Sequence, residues 1–97
     1  MTFAIPTPKE LAQIRKSTRL SVEDFGKLLN FQDPARVIRA LEKGERHGKP
    51  YRLSGTAMAA LVYARTLAAI LAARHSPKTL SAALKAAEDL IPERMRP

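Results

Sequence analysis

Residues 21–52 read SVEDFGKLLNFQDPARVIRALEKGERHGKPYR. The later half of this stretch places cations at steps of three or four: Arg36, Arg39, Lys43, Arg46, Lys49 and Arg52. At about 100° per residue, Arg36, Arg39 and Lys43 fall within roughly 60° of one another on a helix. Val37, Ile38 and Leu41 then occupy the opposite side. Such a helix docks an apolar back on a core and presents a basic front, which suits a polyanion.

The signals that bound this helix are local. Asp33-Pro34 reads as an N-cap followed by Pro at the first helical position, where its missing N–H costs nothing. Gly44 supplies the stop. Upstream, Ser21 and Asp24 resemble a capping box, with Leu20 and Phe25 at staple spacing. Val22, Phe25, Leu28 and Leu29 form the inner face of that preceding helix. Gly26 lies inside it at a cost of about 1 kcal/mol relative to Ala, which points to close approach by a neighbouring helix. Asn30 tolerates the left-handed conformation of a helix exit.

Outward from this pair, Thr7-Pro8-Lys9-Glu10 is a capping box that opens a first helix, with Leu11 and Ile14 inward and an end near residues 17–19. After the polar HGKPYR segment, Ser54 can cap a fourth helix, with Leu53 and Met58 as its staple, running to Ala72 or Ala73. Ser76-Pro77 opens a fifth, striped by Leu80, Leu84, Ala87 and Ile91 and ended by Pro92. No strand alternation is visible. The expectation is an all-α single domain over 1–97, five helices in all.

Composition narrows function. The 97 residues carry a net charge of +8, with eleven Lys/Arg against six Asp/Glu up to residue 52 and six against three beyond it. The cations are therefore spread through the fold, and their excess favours a nucleic acid or another anionic surface. With no Cys, disulfides, Cys-ligated zinc and thiol catalysis are excluded. His47 and His75 lack the spacing of a metal site, and no catalytic constellation or phosphate-cradling Gly loop stands out, so neither an enzyme nor a cofactor is expected. The start MTFAIPTP has neither the basic residues nor the apolar run of a signal peptide. Residues 57–73 are apolar but Ala-rich, short of ~20 residues and interrupted by Arg65. The expectation is a cytoplasmic protein without a membrane span.

Two short helices joined by a tight turn form the helix-turn-helix arrangement, whose second helix enters the DNA major groove. Residues 10–61 resemble the Cro/repressor-type, or XRE, family. The resemblance rests on Leu11, Ile14-Arg15-Lys16 and Leu20-Ser21, then on Glu23, Phe25-Gly26 and Leu28-Leu29. It continues through Glu42, Gly44 and Arg46 in E-x-G-x-R, then Pro50, Leu53, Gly55, Ala57 and Leu61. Three features depart from the family pattern. Val22 stands where Gln is common, Leu41 replaces Trp, and the 30–42 segment is about two residues longer.

Arg36 in the first turn opposes the helix dipole, the kind of broken local rule that marks function. Arg36, Arg39 and Gln32 are the candidate base contacts, and Lys43, Arg46, Lys49 and Arg52 the candidate phosphate contacts. The bland alternative is a solvated basic face, with Glu42 and Glu45 pairing with some of these cations. By family analogy Ser54, Gly55 and Thr56 form a phosphate site at a helix start; simple capping by Ser54 is the alternative. Tyr51 either meets phosphate or covers the edge of the core.

The resemblance implies a lambda-repressor-like domain over 7–61, with a C-terminal helical pair over 62–97. It also implies a transcriptional regulator acting as a homodimer on a near-palindromic operator and repressing its own promoter. The Ala-rich fourth helix and the fifth would supply the dimer surface, or the fifth would fold back over the fourth within one chain. The rival reading is an antitoxin or phage inhibitor whose main role is binding a protein partner.

Overall fold

Thr7 opens the first helix with the expected reciprocal cap: its hydroxyl accepts from the Glu10 amide (3.1 Å), and Glu10 Oε1 accepts from the Thr7 amide (2.9 Å). The computed structural model describes residues 3–73 and 79–96. Its helices are α1 (Pro8–Thr18), α2 (Val22–Leu28), α3 (Pro34–Lys43), α4 (Thr56–Ala73) and α5 (Leu80–Glu88), with a 3₁₀ turn at Glu93–Met95. The chain is mostly helical, as read from the sequence. One short antiparallel hairpin, β1 (Glu45–Arg46) and β2 (Lys49–Pro50), interrupts the helices, and no strand pattern announced it.

Leu11 and Ile14 of α1, Phe25 of α2, Val37, Ile38 and Leu41 of α3, and Val62, Tyr63 and Ile70 of α4 are buried together. Leu29, Ala87, Ile91 and Met95 complete this core. α3 packs against both α2 and α1, and α4 packs against α1 and α5. Burial, and then the charge of Glu88, push the Tyr63 hydroxyl pKa up.

Backbone hydrogen bonds close the turn between α2 and α3. Asn30 adopts the left-handed conformation (φ 63°). Its amide donates to the Lys27 carbonyl and the Phe31 amide to the Gly26 carbonyl, both at 3.0 Å. This pair of bonds is a Schellman motif, which satisfies carbonyls that the helix end leaves free. Gly26 is buried beneath α3: a Cβ built there lies 2.5–2.7 Å from the Cβ, carbonyl oxygen and Cα of Pro34. The close approach expected at this glycine is present, and Pro34 is what approaches. From α4, the Arg65 guanidinium donates to the Leu28 carbonyl at the end of α2, so the charge in the middle of the apolar helix caps another helix.

Several local expectations are corrected. Asp33 precedes α3 in a left-handed conformation (φ 53°) and makes no side-chain cap; its carboxylate pairs with Arg36 instead. α4 starts at Thr56, with the Gly55 carbonyl accepting from the Ala59 amide at 3.1 Å. Ser54 thus lies one residue outside the capping position and makes no side-chain hydrogen bond among the described residues. α5 is capped by Thr79, whose hydroxyl accepts from the Ala82 amide at 3.1 Å. The expected opening at Ser76-Pro77 lies outside the described residues, as does His75. Leu80 is 73% exposed, so the α5 stripe begins later than read. Ile91 is buried beyond the end of α5, in the turn leading to the 3₁₀ segment. α5 folds back on α4 within one chain.

Arg94 joins the two ends of the described chain. It donates to both carboxylate oxygens of Glu10 and, at 2.7 Å, to the Ile5 carbonyl. The Arg94 hydrogen bonds, aided by the Thr7 amide, hold the Glu10 carboxyl below the ordinary carboxylate range.

Two outcomes follow for stability. Gly26→Ala is expected to lower stability by about 1–3 kcal/mol through overpacking, even though Ala in a helix interior gains about 1 kcal/mol over Gly. Urea titration measures this, and a raised midpoint would mean Pro34 moves aside freely. A depressed folded pKa makes Glu10 stabilising above the unfolded carboxylate pKa of about 4.3, with that contribution lost as pH falls through the lower folded value. Glu10→Gln should therefore flatten the acid side of a stability–pH profile while leaving its shape near neutrality unchanged.

Candidate nucleic-acid interface

α3 divides its side chains as the helical spacing requires. Val37, Ile38 and Leu41 are buried, and Arg36, Arg39 and Lys43 are exposed. The helix is only ten residues long, so its position depends on what grips each end. Pro34 against Gly26 fixes the start. At the other end Gly44 turns left-handed (φ 79°), and a Cβ there would meet Pro8 Cγ at 2.9 Å, so the end of α3 abuts the start of α1.

A second grip is electrostatic. Arg15 of α1 binds Glu42 of α3 through two parallel bonds, Nε to Oε2 at 2.7 Å and Nη2 to Oε1 at 3.1 Å. A third bond runs from Arg15 Nη1 to the Leu20 carbonyl at 3.3 Å. The two side chains are 21% and 16% exposed, enough shielding for a bidentate pair to count. The Glu42 hydrogen bonds raise the Arg15 pKa further above its already high value. The contact also removes an anion from the basic front. Glu42 does not pair with any cation of the basic front, the alternative that the sequence left open; it faces α1. Nothing local announces this pair, because its members are 27 positions apart.

Arg36 does have a carboxylate partner. Its Nε lies 3.2 Å from Asp33 Oδ2, with the two side chains 74% and 60% exposed. The carboxylate offsets the unfavourable dipole placement that singled out Arg36 in the sequence. A pair this exposed contributes about 0–1 kcal/mol, so it yields readily to a stronger anion. Gln32 is exposed in the turn before α3.

Beyond Gly44 the polar connection is an ordered hairpin. Glu45 pairs with Pro50 and Arg46 with Lys49. His47 (φ 53°) and Gly48 (φ 74°) make the two-residue turn with both φ values positive, the type I′ pattern that matches strand twist. His-Gly is a weaker signal than Asn-Gly, and two-residue strands are too short for alternation, which is why the sequence did not reveal it. The Tyr51 amide donates to the Gly44 carbonyl at 3.0 Å and closes the base. Tyr51 is half-buried against the core, and the Arg46 guanidinium lies 5.3 Å from its ring centroid. The ring thus covers the core edge and also supports a cation.

Arg46, Lys49, Arg52, Ser54, Gly55 and Thr56 are all exposed. Arg52 and Leu53 border a small cleft with Pro6, Pro8, Leu11 and Leu41, which places Arg52 beside the start of α1. Among the described residues, no three His, Cys, Asp or Glu side chains gather as a metal site would require. α4 is long and apolar enough to cross a membrane by length and composition; here Ala59, Val62, Tyr63, Thr66 and Ile70 bury one side of it.

The Arg15–Glu42 pair sets a measurable expectation. Arg15→Ala and Glu42→Ala should each cost about 1–3 kcal/mol, while the double variant costs less than the sum. Additive losses in a double-mutant cycle would mean that the two residues do not interact in solution. Comparison with protein-family models, with curated proteins and with solved structures finds no match for this chain.

Proposed function

We propose that this chain is a sequence-specific DNA-binding transcriptional regulator of the XRE type, acting through a lambda-repressor-like helix-turn-helix formed by α2 and α3. The observation that carries the reading is the division of α3. Its apolar residues are sunk in the core, its cations Arg36, Arg39 and Lys43 face outward, and its one carboxylate, Glu42, is drawn back to Arg15. An exposed helix face whose own side chains are cations, with only the solvent-open Asp33 beside Arg36, suits a polyanion, and Arg donors at one-turn spacing suit guanine edges in a major groove. The net charge of +8 supplies long-range attraction.

In this reading Arg36 and Arg39 contact bases, with Gln32 at the turn, while Lys43 and Arg52 hold phosphates. The exposed start of α4 at Ser54, Gly55 and Thr56 adds free amides for a further phosphate. The protein acts in the cytoplasm and represses its own promoter by occluding it. α4 favours a homodimer: Ala57, Ala64, Ala68 and Ala72 are exposed and Leu61 and Leu71 half-exposed on its outward side. A protein partner would use the same strip.

Fluorescence anisotropy against duplex from the protein's own upstream region, with a scrambled duplex beside it at ~150 mM salt, tests the reading. Arg36→Ala and Arg39→Ala are each expected to weaken specific binding by about 1–3 kcal/mol. Loss confined to the specific duplex identifies base contacts, and equal loss on both duplexes identifies phosphate contacts only. If the wild-type chain binds neither duplex, autoregulation falls.

A further inference from the structure

The hairpin holds an arrangement that folding alone does not favour. Arg46 and Lys49 stand directly opposite each other, and side chains alternate along a strand, so both project from one face while Glu45 and Pro50 take the other. Like charges directly opposed across a pair of strands destabilise it. Among the described residues, neither cation is paired with a carboxylate. The hairpin nevertheless closes, through its type I′ turn and the Tyr51–Gly44 backbone bond.

Tyr51 prepares one of the two cations. It lies on the Arg46 side by the same alternation, is anchored in the core edge, and carries the Arg46 guanidinium over its ring. Arg46 Nη1 is 3.5 Å from the Tyr51 hydroxyl. A guanidinium held over the ring and at its hydroxyl keeps its forked donors oriented, a geometry that fits phosphate oxygens, while an ammonium opposite it serves as a point charge. All six hairpin residues are exposed, and a Cβ placed at Gly48 would meet nothing within 4 Å. The tip therefore stands clear of the body, directly after the last turn of α3.

We propose that the Arg46/Lys49 face of this hairpin is a clamp for a single backbone phosphate of duplex DNA, outside the groove occupied by α3, with Tyr51 as the positioning residue for Arg46. This rests on the DNA-binding reading above. An anion seated between the two cations turns their mutual repulsion into two attractions. Because they share one phosphate, their contributions to binding are not additive.

The test uses the tightest duplex selected from a random pool by the wild-type chain, and the same duplex carrying one uncharged methylphosphonate at each flanking position in turn. Arg46→Gln, Lys49→Gln and the double variant should each bind about tenfold more weakly at ~150 mM salt, the double little worse than either single. One methylphosphonate position should weaken the wild type to the same extent and leave the double variant unaffected. Lys49→Glu gives Arg46 a cross-strand partner, so it should leave the urea midpoint equal or higher while lowering affinity at least as much. If the double variant keeps wild-type affinity and salt slope while Arg39→Ala weakens binding, the clamp is wrong and the α3 reading stands. Additive single losses, or a double variant still sensitive to the same methylphosphonate, would also overturn the shared phosphate. Equal affinity for an RNA duplex would overturn the commitment to DNA, and a pool that yields no binding duplex would remove both readings.

Discussion

At Gly26 the backbone of α2 lies against Pro34, the first residue of α3, with no room for a methyl group between them. Close packing of this kind admits little adjustment, so it fixes both the separation of the two helices and the direction in which α3 leaves the turn. The Schellman bonds from Asn30 and Phe31 hold the connecting residues without using a side chain. Everything outward on α3 inherits its placement from this contact. An exposed arginine has no means of positioning itself; its usefulness depends on the rigidity of the ten-residue helix beneath it.

The same economy governs charge. Among the carboxylates near the basic front, Glu42 faces Arg15 and fastens α3 to α1, while Asp33 sits at the start of α3 beside Arg36. One contact is shielded and bidentate, the other open to solvent. The shielded pair belongs to the scaffold, and the open pair can exchange partners. Fold maintenance and the proposed recognition surface therefore draw on the same residue types without competing for the same partners.

The legible parts of this chain were those written in neighbouring residues. Thr7-Pro8-Lys9-Glu10 encodes the cap of α1, Gly44 the end of α3, Asn30 the left-handed exit of α2, and the spacing of Val37, Ile38 and Leu41 the buried side of α3. Gly26 was legible as an anomaly, although its partner was not. What stayed hidden depended on distance or on very short elements. The Arg15–Glu42 pair joins separate helices, and the hairpin's strands have two residues each. Asp33 and Ser54 show the limit of local rules. Both are residue types that cap helices, yet Asp33 turns left-handed and Ser54 lies one position too early. Leu80 fits the inward periodicity, but it lies at the very start of α5, where nothing among the described residues covers it.

The clasp between Arg94 and Glu10 bears on the order in which the chain assembles. Its members are 84 positions apart, whereas the α2–α3 joint closes across a few residues. Closing a long loop costs conformational entropy that is recovered only when its ends meet in a formed structure. α2 and α3 can therefore condense around Phe25 and Ile38 early, with α1 added through Arg15. The Arg94 clasp belongs to the last stage, after Ile91 and Met95 have entered the core. An interaction made after the folding barrier acts chiefly on the rate of unfolding. The clasp is thus a brake on opening, placed where the described chain's two extremities would otherwise fray first.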